Sequence, residues 1–243
     1  MPRILVVESN PRHREAASSY FREGDIPMSY ALDHDSAVVA LPGKPRYDGV
    51  YISVFLPRRI GSGDTDLGRT IVNRLASVDT EERRIRGVLN RLDPYIEIDD
   101  KLRPIIRDLA ANPSAEIVIT TIINNSKVCG KAKATEIVQE TFKETSNRCP
   151  EYYDEMEKAI AKSEENQPLG FLVAEKAEQL GIPFVLGSLR YRGDPPLQKV
   201  FERAILREWG EIVDCDPESG DEKATPKYWH RAFNALQVKM PLE

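Results

Sequence analysis

Several residue types and patterns are scarce in this 243-residue chain. Cysteine occurs three times, at Cys129, Cys149 and Cys215. That odd number at wide spacing supplies neither a disulfide framework nor paired metal ligands. Histidine is equally sparse (His13, His34, His230), with no His-x-x-x-His or Cys-x-x-Cys pair, so nothing points to zinc. No stretch approaches the ~18 apolar residues of a membrane span. The short apolar run before Glu8 falls short of a secretory hydrophobic segment, and no leader is expected. Positive charge is not in excess: 34 Lys and Arg against 39 Asp and Glu leave a net charge of -5. Broad nucleic-acid binding runs on concentrated positive charge and is disfavoured. There is no internal repeat and no low-complexity tract. What is present, 41% hydrophobic and 30% charged residues, suffices for a core inside a polar surface. A cytoplasmic, non-membrane location is expected.

The first 57 residues alternate strands and helices. Residues 4–7 (Ile-Leu-Val-Val) form an unbroken β-branched-rich run, as in a strand covered on both faces. Asn10-Pro11 offers an N-cap and a first-turn proline. Ala16, Ala17, Tyr20 and Phe21 repeat at helical spacing, and Gly24 is a stop. Residues 27–32 read as a second strand, 35–41 as a short helix, and 49–56 as a third strand closed by Pro57. Strands separated by helices imply parallel pairing. The last third resumes the pattern: a helix through Leu169, Leu172, Val173, Ala177 and Leu180 with Gly181 at its end, a strand at 182–186, and a helix after Pro195-Pro196. A short strand at 211–215 and an amphipathic helix through Trp229, Ala232, Phe233 and Leu236 follow. The predicted fold class is α/β, a doubly wound, mainly parallel sheet.

Residues 58–167 differ, being charged and mostly helical. Helices are predicted at 71–78, 81–92, 135–144 and 152–162. A strand is expected at 115–123, and a polar hinge ends at Pro168.

The two ends together resemble a two-component response-regulator receiver domain, which is flavodoxin-like. Ile4-Leu5-Val6-Val7-Glu8-Ser9-Asn10 is similar to that family's first strand and acidic pair, and the segment from Tyr47 to Pro57 to its third strand. Leu169 to Glu175 followed by Gly181 to Ser188 resembles its third helix and fourth strand. A second register would make 116–121 the fourth strand and 182–186 the fifth. The resemblance implies a receiver-like domain over 1–57 and 168–243, with 58–167 as a mostly helical insertion. It also implies a pocket whose chemistry is degraded. The family's two acids and its aspartate nucleophile fall on Glu8, Ser9 and Ser53, leaving one carboxylate for a metal that prefers several hard oxygens. Ser53 cannot form an acyl phosphate, and a serine needs a base to act as a nucleophile. The family's hydroxyl residue matches Ser188, whereas its lysine falls on Asp216 with reversed charge. Lys223 lies close enough in sequence to be a substitute. On this reading no catalytic residue, metal or other cofactor is expected.

Gly63-Asp64-Thr65-Asp66-Leu67-Gly68-Arg69-Thr70 nearly spells a phosphate-binding loop, with Arg69 in place of the motif's lysine. Gly63, Gly68, Arg69 and Thr70 are therefore candidate anion-binding residues, although Asp64 and Asp66 would repel an anion. A flexible loop capped by Asp66 is the plainer account. Arg83, Arg84, Arg86 and Arg91 read more simply as a solvated helix face diluted by Glu81, Glu82 and Asp93 than as a docking patch. The expected function is a non-catalytic regulatory module acting on a protein partner, or pairing with a second copy of itself. The alternative is an enzyme or a nucleotide- or phosphate-binding protein on the same scaffold, because fold alone does not decide function.

Overall fold

A computed structural model of the chain describes residues 2–44, 46–92, 131–145, 151–190, 194–210, 212–216 and 218–241. They fall into two compact units, one made of Met1–Val72 with Asp154–Glu243 and the other of Asn73–Tyr153. The second unit is thus shorter than the 58–167 segment marked out by composition. Residues 58–72 and 154–167 belong to the first unit. The strand expected at 115–123, and Cys129 and Cys149, lie outside the described residues.

The first unit is α/β. Its four strands, β1 (Ile4–Val7), β2 (Met28–Ala31), β3 (Gly49–Ser53) and β4 (Phe184–Gly187), are all parallel in the order β2-β1-β3-β4. Every residue of β1, β3 and β4 is buried, as expected of apolar runs covered on both faces. Helix α1 (Pro11–Glu23) begins where expected. The Asn10 side chain accepts from the Arg12 amide at 2.9 Å, and Pro11 occupies the first turn. Helix α2 (His34–Ala40) starts on a capping box in which Asp33 and Ser36 satisfy each other's backbone amides. The predicted third strand stops at Ser53. Leu56 makes only an isolated bridge to Pro168, and among the described residues of the strand expected at 211–215 Val213 alone pairs, with Gly187.

Helix α3 (Asp66–Leu92) replaces the two helices expected at 71–78 and 81–92. No Gly or Pro stands between them. Thr80 bonds back to the Ala76 carbonyl at 2.9 Å, and Asp79 pairs with Arg83 at 3.3 Å one turn on, so the helix runs through. Helices α4 (Lys131–Thr145) and α5 (Glu151–Lys162) follow among the described residues. Within the second unit Arg84 pairs with Glu81 and stacks on Phe142, Arg86 pairs with Glu82, and Arg91 reaches Glu140 and Glu144. Arg84, Arg86 and Arg91 are therefore each paired with a neighbouring acid.

Helices α6 (Gly170–Gln179), α7 (Pro195–Leu206) and α8 (Pro226–Gln237) complete the first unit. Helices α1 and α8 cover one sheet face, where Phe21, Tyr51, Tyr228, Trp229, Phe233 and Leu236 form an aromatic-rich core. Helices α2 and α6 pack together on the other side. The sheet is thus wound on both faces. At Gly170 a Cβ would lie 2.1 Å from the Ser53 carbonyl, so only glycine lets α6 start against β3. No helix among the described residues is long and apolar enough to cross a membrane.

Candidate functional site

Parallel strands send their carboxyl ends to the same edge of a sheet, and loops leaving that edge form the natural site of such folds. Here Glu8 and Ser9 follow β1, Ser53 ends β3 and Ser188 follows β4. All four line one cavity of about 210 Å³, together with Asn10, His13, Asn166, Arg190 and Lys223.

At its base lies a buried ionic cluster. Glu8 and Lys223 are each 3% exposed. One Glu8 carboxylate oxygen accepts from Lys223 Nζ at 2.5 Å and from the Ser53 hydroxyl at 2.7 Å. The other accepts the Asn10 amide at 2.9 Å and faces His13 Nδ1 at 3.5 Å. Lys223 Nζ also donates to Ser53 Oγ at 2.6 Å, which closes a triangle of acid, hydroxyl and ammonium. Burial alone would push the Glu8 carboxyl up. The Lys223 ammonium, aided by His13, outweighs it and holds Glu8 well below the usual carboxylate range. Burial would likewise deprotonate Lys223, but the Glu8 charge reverses this and raises its pKa. Both members stay charged because each neutralises the other.

Lys223 comes from a short 3-10 turn (Glu222–Ala224) just before α8. The Trp229 indole, buried in the core, donates to the Lys223 carbonyl at 2.9 Å and fixes the turn. Below the ammonium lie the rings of Tyr51 and Tyr228, 5.3 and 6.0 Å away, in cation–π contact. Their hydroxyls share a hydrogen bond at 2.9 Å, and Tyr228 donates to the Val213 carbonyl. A Cβ at residue 187 would sit 2.1 Å from the Tyr51 hydroxyl, so Gly187 is what admits this pair under the cavity. On the far side His13 Nε2 meets Asp221 at 2.9 Å, linking α1 to the segment that carries Lys223.

The structure therefore brings Glu8, Ser9, Ser53 and Ser188 together and leaves Asp216 out. Asp216 is exposed and its carboxylate accepts the Glu218 amide. The cation at the strand tips comes instead from Lys223. Ser188 is buried, with its hydroxyl accepting the Arg190 amide at 3.0 Å and its carbonyl accepting the Cys215 thiol. Arg190 stacks on Phe55 at the cavity wall and reaches Asn166 at 3.3 Å. His13, Asp221 and Arg190 carried no sequence signal for this place, because no local spacing reports partners up to 208 residues apart.

Nor do the four residues of the phosphate-loop pattern converge on an open site. The Gly68 amide donates to Gln167 at 2.9 Å, and a Cβ there would lie 2.6 Å from the Gln167 side chain. The Gly63 amide is taken by Glu164, Arg69 is exposed, and Thr70 bonds back to the Asp66 carbonyl.

In chemical terms, Ser53 donates its proton to Glu8 while accepting one from Lys223. Neither neighbour is a ready base for that hydroxyl: Glu8 is held well below the usual carboxylate range, and its charge keeps Lys223 protonated. Glu8 has its oxygens engaged by Lys223, Ser53, Asn10 and His13. Among the described residues no group of three or more His, Cys, Asp or Glu side chains is placed to hold a metal ion.

No protein-family model, no curated protein and no solved structure matches this chain.

Proposed function

We propose that this chain is a non-catalytic, receiver-like regulatory module that acts through contact with a protein partner or a second copy of itself. The observation that carries the reading is Ser53 at the place of the family's aspartate, its hydroxyl donating to Glu8 at 2.7 Å and accepting from Lys223 at 2.6 Å. A phosphorylatable receiver would need a divalent cation and an aspartate at these tips. Here the positive charge is built into the chain and the acceptor is a hydroxyl bound on both sides. The strand order β2-β1-β3-β4, with Val213 bridging next to β4, supports the flavodoxin-like part of the reading. The Asn73–Tyr153 unit is read as the insertion that supplies contact surface beyond the receiver frame.

The test is incubation with a small phosphodonor and magnesium, followed by intact-mass measurement. The expected outcome is no phosphoryl adduct. A stable adduct lost in S53A overturns the reading. The 210 Å³ cavity beside Arg190 and Ser188 favours a second reading, a small-molecule binding protein on the same frame. A thermal shift with a nucleotide or sugar phosphate that disappears in R190Q would favour it over the first.

A further inference from the structure

We propose that the turn at residues 61–63 is an oxyanion site that the chain's own Glu164 keeps occupied. Gly61 and Gly63 both have left-handed backbone, at φ +73° and +66°. The Ser62 amide donates to the Arg59 carbonyl at 3.1 Å, which leaves the Gly61 and Gly63 amides as a two-donor, partly positive cradle. The Glu164 carboxylate lies in it, one oxygen accepting the Gly61 amide at 2.6 Å and the other the Gly63 amide. The Ser62 hydroxyl stands 3.5 Å from the second oxygen. Two backbone donors aimed at the two oxygens of one carboxylate recognise an oxyanion by geometry, whatever chain or solute supplies it.

The acids beside this turn are paired with bases. Asp64 is bound by Arg58 at 2.7 Å and by the Asp66 amide at 3.0 Å. Asp35 faces Arg58 and Arg59 at 3.8 and 3.6 Å, with His34 at 2.9 Å. Ser62, Arg58 and Arg59 line an open cavity of about 210 Å³ with these two aspartates, which gives a solute a path to the turn. A Cβ added at Gly61 or Gly63 would meet nothing within 4 Å, so the turn is not packed against the rest of the chain on that side. Of the phosphate-loop pattern only Gly63 takes part in this site. The cradle lies at 61–63 and its occupant is internal. A solute oxyanion, carboxylate or phosphate, enters when Glu164 leaves, so Glu164 and the solute compete for the same two amides.

The experiment is amide hydrogen exchange and thermal denaturation of the full chain and of E164A, in chloride, acetate or inorganic phosphate at matched ionic strength. In chloride, exchange at Gly61 and Gly63 should quicken about tenfold or more in E164A, because each amide loses a charge-assisted bond. Acetate or phosphate should restore slow exchange and raise the melting temperature of E164A while leaving the parent chain at its chloride values. Restoration by acetate alone assigns the site to carboxylates, and by phosphate alone to phosphates. Adding G63A, which strains the turn, should abolish the rescue. Unchanged exchange in E164A, quickened exchange indifferent to both anions, or an equal response of the parent chain overturns the proposal. E164Q, which keeps the side-chain volume but only one acceptor, gives the same readout should E164A not fold.

Discussion

Replacing Lys223 with methionine removes the ammonium and keeps most of the side-chain volume, so it isolates the ionic cluster at the strand tips. Glu8 is 3% exposed and would be left without its cation, with only Ser53, Asn10 and His13 around it. Breaking a buried pair from one side costs about 3–5 kcal/mol, and for a chain of this size each kcal/mol moves the midpoint by about 2–4 °C. K223M should therefore melt roughly 6–20 °C lower. The double variant E8Q/K223M removes both charges and should recover most of that loss, because no ion is then stranded. The pH dependence follows from the signs of the two shifts. Glu8 is depressed from an ordinary 4.5, so its contribution is complete above that pH and fades as pH falls through its lower folded-state value. Lys223 is raised from 10.5, so its contribution is complete below that pH and is lost only as pH rises past its elevated value. In K223M the stranded carboxyl can escape its penalty by protonation, so the gap between the two proteins should narrow in acid. Thermal and urea denaturation of the four members of the cycle between pH 3 and 8 make the measurement. A K223M cost within the ~0–1 kcal/mol of an exposed pair, or a double variant no better than the single, would refute the reasoning.

Two further outcomes follow from the same core. Gly187→Ala drives a methyl to 2.1 Å from the Tyr51 hydroxyl, within a pair fixed by Tyr228 and the Val213 carbonyl. It should lower stability by about 1–3 kcal/mol or more in urea denaturation, and a neutral effect would mean the tyrosine pair is loose. Cys215 is buried, and burial pushes its thiol up to about 11. Its peptide should resist alkylation by iodoacetamide at pH 8 until the chain is unfolded, and rapid native labelling there would contradict the packing of the 188–215 contact.

The one-dimensional pattern determined the elements whose signal is local. The β1 run, the Asn10-Pro11 start of α1, the Pro195-Pro196 start of α7 and the amphipathic face of α8 depend on neighbours within a few residues, and each is where the pattern put it. Parallel pairing followed as well, since helices between strands leave little else. Glu8, Ser53 and Ser188 were marked as strand-tip residues by the resemblance to the receiver family rather than by the pattern, which put Ser53 inside a strand running to residue 56. The pattern erred where a boundary had to be drawn without a breaker, splitting α3 at a point that intrahelical bonds hold together.

Tertiary structure alone decided which charge stands at those tips. The lysine contacting Ser53 is 170 residues away, on a 3-10 turn held by the Trp229 indole; the receiver resemblance put Asp216 in that place and named Lys223 only as a substitute. Tertiary structure likewise decided that Glu164 fills the turn at 61–63, across a separation of about a hundred residues. Secondary structure is set by short-range backbone sterics and periodicity, which a sequence displays. The pairing of buried charges depends on how far the loops between elements carry the chain, and no local spacing records that.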